Sequence, residues 1–169
     1  MANVPVARLR AVGIVLAALA LGACAKNTAE LDGLNGGASG YGAGSGPGSY
    51  QEFASNIGDR VFFDTDQTDL NERGMATLDK QAQWLNRYSR YSFTIEGHAD
   101  ERGTREYNFA LGSRRAESVK NYLISKGVSA SRMKTISFGK ERPVATCDDI
   151  SCWSQNRRAV TVLAGAPES

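Results

Sequence analysis

GHADERGTREYNFALGSRRA, residues 97–116, decides how the centre of this chain folds. Residues 91–96 before it alternate apolar and polar side chains, which is typical of a strand buried on one face. After Gly103, apolar residues return at helical spacing. Asp100 therefore lies just past the end of a strand and before a helix, where side chains can converge on a ligand.

The helix after Gly103 has a predictable phase. At about 100° per residue, its apolar face comprises Phe109, Gly112, Ala116, Val119 and Leu123. Asn108 and Arg115 lie together on the flank of that face, whereas Arg114 points almost opposite to it, into solvent. Arg115 is therefore the arginine that can approach Asp100.

An acid and an arginine on two sides of a cleft suit a zwitterionic ligand. Arg115 would bind a carboxylate in a bidentate manner, and Asp100 would bind an ammonium group. The spacing equally allows a structural Asp100–Arg115 salt bridge with nothing bound, because inert ion-pair networks are common in proteins. The residues alone leave both alternatives open.

The same stretch resembles the signature of the OmpA-like peptidoglycan-binding domain family. Similar pieces elsewhere are VFFD at residues 61–64, SFGKERP at residues 137–143 and NRRAV at residues 156–160. The resemblance covers about residues 58–163 in consistent order. It implies that Asp100 and Arg115 hold diaminopimelate of the peptidoglycan stem peptide, whose side chain carries both an ammonium and a carboxylate.

Further site residues and partners are expected. Asn108 and Thr104, at the start of the helix, would add hydrogen bonds to the ligand. The resemblance implies that Phe63 and Asp64 form the facing wall of the site, and it adds Leu111. It also implies that the periplasmic propeller protein TolB and the wider Tol complex are partners, in outer-membrane invagination during cell division.

The N-terminus resembles a bacterial lipoprotein signal, predicted over residues 1–23. Arg8 and Arg10 precede an apolar run, residues 11–21, that is too short to span a bilayer. The run ends in LGAC, which resembles a lipobox whose Cys24 receives the lipid. The alternative is an ordinary signal peptide with an incidental cysteine. Ala25 replaces the aspartate that retains enterobacterial lipoproteins at the inner membrane, which favours the outer membrane of a Gram-negative bacterium, with the domain facing the periplasm.

Residues 24–50 are predicted to be the lipidated N-terminus and a flexible tether. Glycine, serine, alanine and asparagine dominate this segment, and such a composition cannot build a core. As a random coil it would span about 28 Å on average and about 90 Å when stretched. That reach suits a link between a membrane and a nearby cell-wall layer.

Cys147 and Cys152 remain when Cys24 is set aside. An even pair of cysteines in an oxidising periplasm predicts a disulfide. A zinc site is the alternative, and the single histidine and the lack of a CxxC motif weigh against it.

Residues 51–165 are predicted to form one domain, followed by a tail of residues 166–169. Strands are predicted at residues 60–63, 91–98, 134–138 and 159–163, and helices at about residues 75–88 and 105–126. The second helix is expected to end at Gly127. The order β-α-β-α-β-(loop)-β predicts an α+β fold, in which a mixed sheet carries helices packed on one face.

The charge balance and the types of residue present limit the possible classes of function. Without Arg8 and Arg10, 18 of the 20 basic residues balance 18 acidic residues, so nothing indicates nucleic-acid binding. The enzymatic alternative is a hydrolase that uses His98, Asp100 and Glu101, since His98 and Asp100 would project from the same side of a strand. The chain has no second histidine and no GxSxG motif, which favours a non-enzymatic anchor without cofactor or metal. A domain serving a flagellar stator or a porin is a third alternative.

Overall fold

A computed structural model describes residues 46–164, in which a four-stranded mixed sheet carries two long helices on one face. Along the chain the elements are α1 (Tyr50–Glu52), which continues into a π-helical turn (Phe53–Gly58), β1 (Arg60–Phe62), α2 (Glu72–Arg87), β2 (Phe93–His98), α3 (Arg105–Ser125), a 3-10 turn (Ala130–Arg132), β3 (Met133–Gly139), α4 (Ile150–Asn156) and β4 (Arg158–Leu163). The predicted α+β fold is confirmed. The signal peptide, Cys24, most of the tether and the tail of residues 166–169 lie outside the described residues.

The strand order β1-β4-β2-β3 brings three chain segments to one edge of the sheet. β2 and β3 run parallel because α3 forms the crossover between them, whereas β4 runs antiparallel to both β1 and β2. Phe62 at the end of β1 pairs with Arg158 at the start of β4, and Gly97 near the end of β2 pairs with Ala159. The residues that follow β1 and β2 and the residue that precedes β4 therefore meet at this edge.

The core lies between the sheet and the helices α2 and α3. Alternation along β2 turns Phe93 and Ile95 toward the helices, where both are buried. α2 begins at its N-cap Asn71, whose Oδ1 accepts a hydrogen bond from the backbone N–H of Gly74 at 2.8 Å. Its inward face supplies the fully buried side chains of Leu78 and Leu85. The apolar residues of α2 thus recur on one face, and this face packs in the core.

α3 begins and ends where the sequence predicts, but its buried face differs. Gly127, with φ +86°, ends the helix, because glycine has no Cβ to clash in this conformation. The buried residues are Asn108, Leu111, Gly112, Arg115, Ala116, Val119 and Leu123. Phe109, expected in the core, is 56% exposed, since the backbone of this residue packs against Gly139 and its carbonyl accepts a hydrogen bond from Ser137. Asn108 and Arg115 thus lie on the buried face and not on its flank.

The first described residues fall within the segment predicted as a tether. Residues 46–50, the end of the predicted tether, form a turn and the start of α1. The hydroxyl of Tyr91 donates to the carbonyl of Gly48 at 2.6 Å, and the indole N–H of Trp84 donates to Glu52 at 2.8 Å. Phe53 is fully buried. These contacts explain why a glycine-rich stretch is ordered here: Tyr91 binds the carbonyl of Gly48, and the carboxylate of Glu52, which Trp84 holds, accepts the backbone N–H of Gly48.

The predicted loop between β3 and β4 contains a helix, α4. Asp149 caps it by accepting a hydrogen bond from the backbone N–H of Ser151 at 2.7 Å. The predicted disulfide between Cys147 and Cys152 is confirmed and spans the start of this helix, with Cα atoms 5.6 Å apart. A helix of seven residues is too short for its apolar spacing to be read from sequence.

Candidate functional site

Asp100 lies at the edge of the sheet where β1, β2 and β4 meet, and its carboxylate is held by two arginines. Arg102 donates from Nη2 to Oδ2 at 2.7 Å and from Nε to Oδ1 at 3.2 Å, and its backbone N–H lies 3.3 Å from Oδ1. Arg157 donates from Nη1 to Oδ2 at 3.3 Å. Burial raises the pKa of Asp100, but the hydrogen bonds from Arg102 and Arg157 outweigh it and leave that pKa below its ordinary value. The carboxylate is therefore ionised at neutral pH.

Arg115 is completely buried beside this carboxylate and holds the loop after β1. Its three nitrogens donate to the backbone carbonyls of Gln67 at 2.9 Å, His98 at 2.8 Å and Asp64 at 3.0 Å. Burial and the charge of Arg157 lower the pKa of Arg115 to about 10, so the guanidinium stays a cation at neutral pH. It therefore fastens the residues after β1 to the end of β2.

The ion-pair partners of Asp100 differ from those that the spacing suggested. They are Arg102 and Arg157, so the Asp100–Arg115 salt bridge is not formed. Arg114 is exposed, as predicted. The charge of Asp100 still reaches Arg115, where it partly offsets the lowering of the pKa of the guanidinium. The two predicted groups thus share one polar site without binding each other directly.

Arg157 and Arg102 are the site residues that sequence reasoning missed. Arg157 is buried, and its Nε donates to the carbonyl of Phe63 at 3.0 Å, which ties the start of β4 to the end of β1. The NRRAV motif contains this arginine, but spacing did not show that it would face Asp100. The position of Arg102 two residues after an aspartate predicts that its backbone N–H donates to that aspartate, which would have placed its side chain near Asp100.

The other predicted residues lie around this pair. Thr104 is the N-cap of α3, since its hydroxyl accepts from the backbone N–H of Tyr107 at 3.2 Å. Asn108 is buried and donates its amide to the carbonyl of Arg102 at 2.6 Å. In this structure both side chains therefore shape the loop that carries Asp100.

The facing wall follows β1 directly. Phe63 is buried one residue beyond β1, with the guanidinium of Arg115 lying 5.1 Å from the centre of its ring. Asp64 is exposed, and its backbone carbonyl accepts hydrogen bonds from the guanidinium of Arg115 and from the backbone N–H of Gln67. Leu111 is buried on α3.

An open groove of about 820 Å³ runs beside the site, between the loop after β1 and helix α4. It is lined by Asp64, Thr65, Gln67, Asp69, Leu70, Asn71, Ile150 and Arg157. Its walls are mostly polar, and it opens next to the Arg157 that holds Asp100. The groove can therefore take an extended polar ligand with one end at Arg157.

The three residues of the hydrolase alternative make different contacts. His98 faces a different groove, on the side of the sheet opposite α2 and α3, where it stacks on Phe138 with ring centres 5.5 Å apart. Burial, and then the nearby arginines led by Arg158, lower the pKa of His98 to about 3, so the imidazole is neutral. The carboxylate of Glu101 accepts a hydrogen bond from the indole of Trp153.

Residues 46–164 were compared with what a membrane span and a metal site require, and they meet neither requirement. No helix in this range is long and apolar enough to cross a membrane. No group of three or more histidine, cysteine, aspartate or glutamate side chains in this range could hold a metal ion.

Known proteins resemble this chain closely. Residues 62–157 match the OmpA family. The chain is 62% identical over 151 residues to the peptidoglycan-associated lipoprotein of Rhizobium meliloti (strain 1021), covering 88% of this chain and 84% of the relative. It is 60% identical over 166 residues to that of Agrobacterium fabrum (strain C58), covering 95% and 90%.

A solved structure supports the same relationship. The crystal structure of the peptidoglycan-associated lipoprotein from Burkholderia pseudomallei is 40% identical, with a TM-score of 0.63, and the match covers 65% of this chain and 95% of that one. The chain therefore belongs to the OmpA family, in the branch of the peptidoglycan-associated lipoproteins.

Proposed function

We propose that this protein is a lipid-anchored component of the outer membrane whose domain binds peptidoglycan non-covalently, through the diaminopimelate residue of the stem peptide. The observation that carries the proposal is the site itself: an ionised carboxylate, Asp100, and a buried cation, Arg115, lie behind residues that line an open groove, since Arg157 of the groove donates to Asp100 and the carbonyls of Asp64 and Gln67 accept from Arg115. The names of the relatives agree with this ligand. The protein would tether the outer membrane to the cell wall without cleaving it.

Diaminopimelate carries the two charges that such a site can bind. Its side-chain ammonium would donate to the carboxylate of Asp100. Its side-chain carboxylate would approach Arg115, whose guanidinium uses three of its five N–H groups on backbone carbonyls and keeps one on each terminal nitrogen. Thr104 and Asn108 would contribute hydrogen bonds from the start of α3, and Phe63, Asp64 and Leu111 would shape the wall. Because both charges lie in a partly buried site, they bind more strongly than they would in water.

The anchor would be the lipid on Cys24. One acyl chain binds a membrane only marginally, whereas the three chains of a mature bacterial lipoprotein hold it stably. A flexible tether then keeps the domain within tens of ångströms of the membrane, so each released domain meets the wall again at a high effective concentration. Individual contacts can thus be reversible while the attachment of the two layers persists.

TolB and the Tol complex are the proposed protein partners, at sites of cell division. If TolB covers the same surface as the stem peptide, mass action requires that TolB shift the domain from wall-bound to mobile. Titration calorimetry of TolB, with and without saturating diaminopimelate stem peptide, tests this. An unchanged affinity for TolB would exclude a shared surface and would leave the peptidoglycan site unaffected.

Sedimentation with insoluble peptidoglycan tests the central proposal. The protein should sediment with diaminopimelate-type peptidoglycan and much less with lysine-type peptidoglycan, which has the ammonium but lacks the side-chain carboxylate. The supernatant should contain no released fragments, because an anchor leaves the polymer intact. Equal binding to both polymers, or release of soluble fragments, would contradict the proposed site or the proposed non-enzymatic role, respectively.

Replacement of Cys24 by serine tests the anchor separately. A serine offers no thiol for acylation, so the variant should accumulate as an unlipidated precursor and should not take up labelled palmitate. Cells that still incorporate palmitate into Cys24→Ser protein, and still fractionate it with the outer membrane, would show that the lipoprotein assignment is wrong.

A further inference from the structure

We propose that Arg102 is an internal counter-ion that occupies Asp100 in the ligand-free protein and leaves when the ligand's ammonium binds, and that Trp153 positions Arg102 for this role. The inference rests on the proposed function, since it concerns how the same site takes its ligand. It assigns Arg102 a direct effect on affinity and Trp153 an indirect one.

The carboxylate of Asp100 has no free acceptor position in this structure. A carboxylate can accept about four hydrogen bonds. Oδ1 accepts the Nε and the backbone N–H of Arg102, and Oδ2 accepts Nη2 of Arg102 and Nη1 of Arg157. An ammonium group that binds Asp100 must therefore displace at least one arginine.

Burial indicates which arginine moves. The side chain of Arg157 is 6% exposed and also donates to the carbonyl of Phe63, so its displacement would break the junction between β1 and β4. The side chain of Arg102 is 41% exposed, and its other contact is the face of an aromatic ring. Arg102 can swing into solvent without disturbing the junction of β1 and β4, whereas Arg157 stays.

Trp153 holds Arg102 in its present place. The guanidinium of Arg102 lies 4.2 Å from the centre of the Trp153 ring, within the range of a cation–π contact. The indole N–H of Trp153 donates to the carboxylate of Glu101, the residue before Arg102. Trp153 itself stands on α4, one residue after Cys152 of the disulfide. The ring is thus held from two sides: by the hydrogen bond to Glu101 in the loop that carries Asp100, and by helix α4 beside the disulfide.

An internal competitor lowers the apparent affinity for any ammonium ligand. The ligand gains the full interaction with Asp100 only after Arg102 has given up its own, so the measured binding free energy is the difference between the two. Removing the charge of Arg102 should therefore tighten binding, which is the opposite of the usual result of removing a site residue.

Calorimetry of the purified chain with a diaminopimelate-containing stem tripeptide tests the inference. Arg102→Gln should bind the tripeptide about two- to fivefold more tightly than wild type, the range expected when a partly exposed ion pair no longer competes. Arg102→Lys, which keeps a cation, should lie closer to wild type. Arg105→Gln is the matched control, since this exposed arginine pairs with Glu141 and not with Asp100.

The positioning role of Trp153 is tested by a double-mutant cycle with Arg102. Trp153→Ala should tighten binding less than Arg102→Gln does, and the combined variant should bind as Arg102→Gln alone, because Trp153 acts only through Arg102. An NMR titration gives a second readout: the pKa of the Asp100 carboxyl should rise in Arg102→Gln, since hydrogen bonds from Arg102 lower it in wild type.

The outcomes separate this inference from the proposed function. Binding of the tripeptide by wild type together with weaker binding by Arg102→Gln would overturn the role of Arg102 and leave the peptidoglycan site in place. Additive effects of Arg102→Gln and Trp153→Ala would overturn the positioning role of Trp153. A wild-type chain that does not bind the tripeptide would overturn the proposed function and this inference with it.

Discussion

Gly97 on β2 and Gly112 on α3 are in backbone contact. A Cβ atom on Gly97 would overlap the carbonyl oxygen of Gly112, and a Cβ atom on Gly112 would lie 2.8 Å from the carbonyl oxygen of Gly97. The first half of α3 is therefore drawn onto the sheet more closely than side chains would allow. This close approach buries Asn108 and Arg115 and brings Arg115 to the carbonyl of His98 at the end of β2.

Replacement of Gly97 by alanine should destabilise the domain by about 3 kcal/mol or more, because the overlap is with backbone that cannot rotate away. Chemical denaturation of wild type and Gly97→Ala would measure the loss. Gly46→Ala is the control, since nothing lies within 4 Å of a Cβ atom at that position. Equal stability of Gly97→Ala and Gly46→Ala would show that α3 does not sit as close to β2 as described.

Much of this fold could be predicted because its local signals agree with its tertiary packing. Alternation identified β2, and helical spacing together with a terminal glycine identified α3 up to Gly127. Two cysteines in an oxidising compartment identified the disulfide between Cys147 and Cys152. In each case the sequence pattern is produced by the contact itself: the buried faces of β2 and α3 pack in the core, and the two cysteines bond to each other.

The site could be predicted less well, because its polar residues are buried by partners far away in sequence. An apolar-face rule puts Phe109 inside and Arg115 on the flank, yet three backbone carbonyls make burial of the guanidinium favourable. Arg157 reaches Asp100 only because β4 pairs between β1 and β2. Strand order is a property of the whole sheet and has no local sequence signal.

Removal of either charge of the site should nearly abolish binding to diaminopimelate peptidoglycan. Asp100→Asn and Arg115→Gln should each cost roughly 2–5 kcal/mol of binding free energy, because the opposite charge of the ligand would then be desolvated without its partner. Sedimentation at several protein concentrations measures the loss. Thermal unfolding of the same variants must accompany it, since Arg115 is fully buried and also holds the loop after β1.

Arg114→Gln is the matched control for Arg115→Gln. The two arginines are neighbours in sequence, but Arg114 is exposed, whereas Arg115 is buried beside Asp100. The control should bind peptidoglycan as wild type does. Equal losses for the two variants would mean that the affinity comes from the general positive charge of α3 and not from the site.

The disulfide should stabilise the domain by about 2 kcal/mol, as expected for a closed loop of this length on the chain-entropy estimate. The variant with both Cys147 and Cys152 replaced by serine should therefore unfold at lower denaturant concentration than wild type. A reducing agent should destabilise wild type by a similar amount and should not affect the serine variant. If reduction leaves the stability of wild type unchanged, the crosslink contributes nothing to it.

His98 should make the stability of the domain depend on pH between about pH 6.5 and pH 4.5, above the range in which most carboxyl groups titrate. It is the single histidine of the sequence. In the folded protein, burial and the charges of Arg158, Arg142 and Arg60 lower its pKa from 6.5 to about 3. In the unfolded chain it takes up a proton below about pH 6.5, as an unperturbed imidazole does.

The sign of the effect follows from this difference. Between pH 6.5 and pH 3 the unfolded state binds one more proton than the folded state, so the free energy of unfolding falls as the pH falls, by about 1.4 kcal/mol per pH unit. Above pH 4.5, the ordinary carboxyl groups do not yet contribute strongly. Urea unfolding at pH 7 and pH 5 should therefore show a loss of about 2 kcal/mol for wild type. His98→Leu should lose much less over the same interval, since leucine does not titrate, and an equal loss for the two proteins would show that His98 is not kept neutral by the fold.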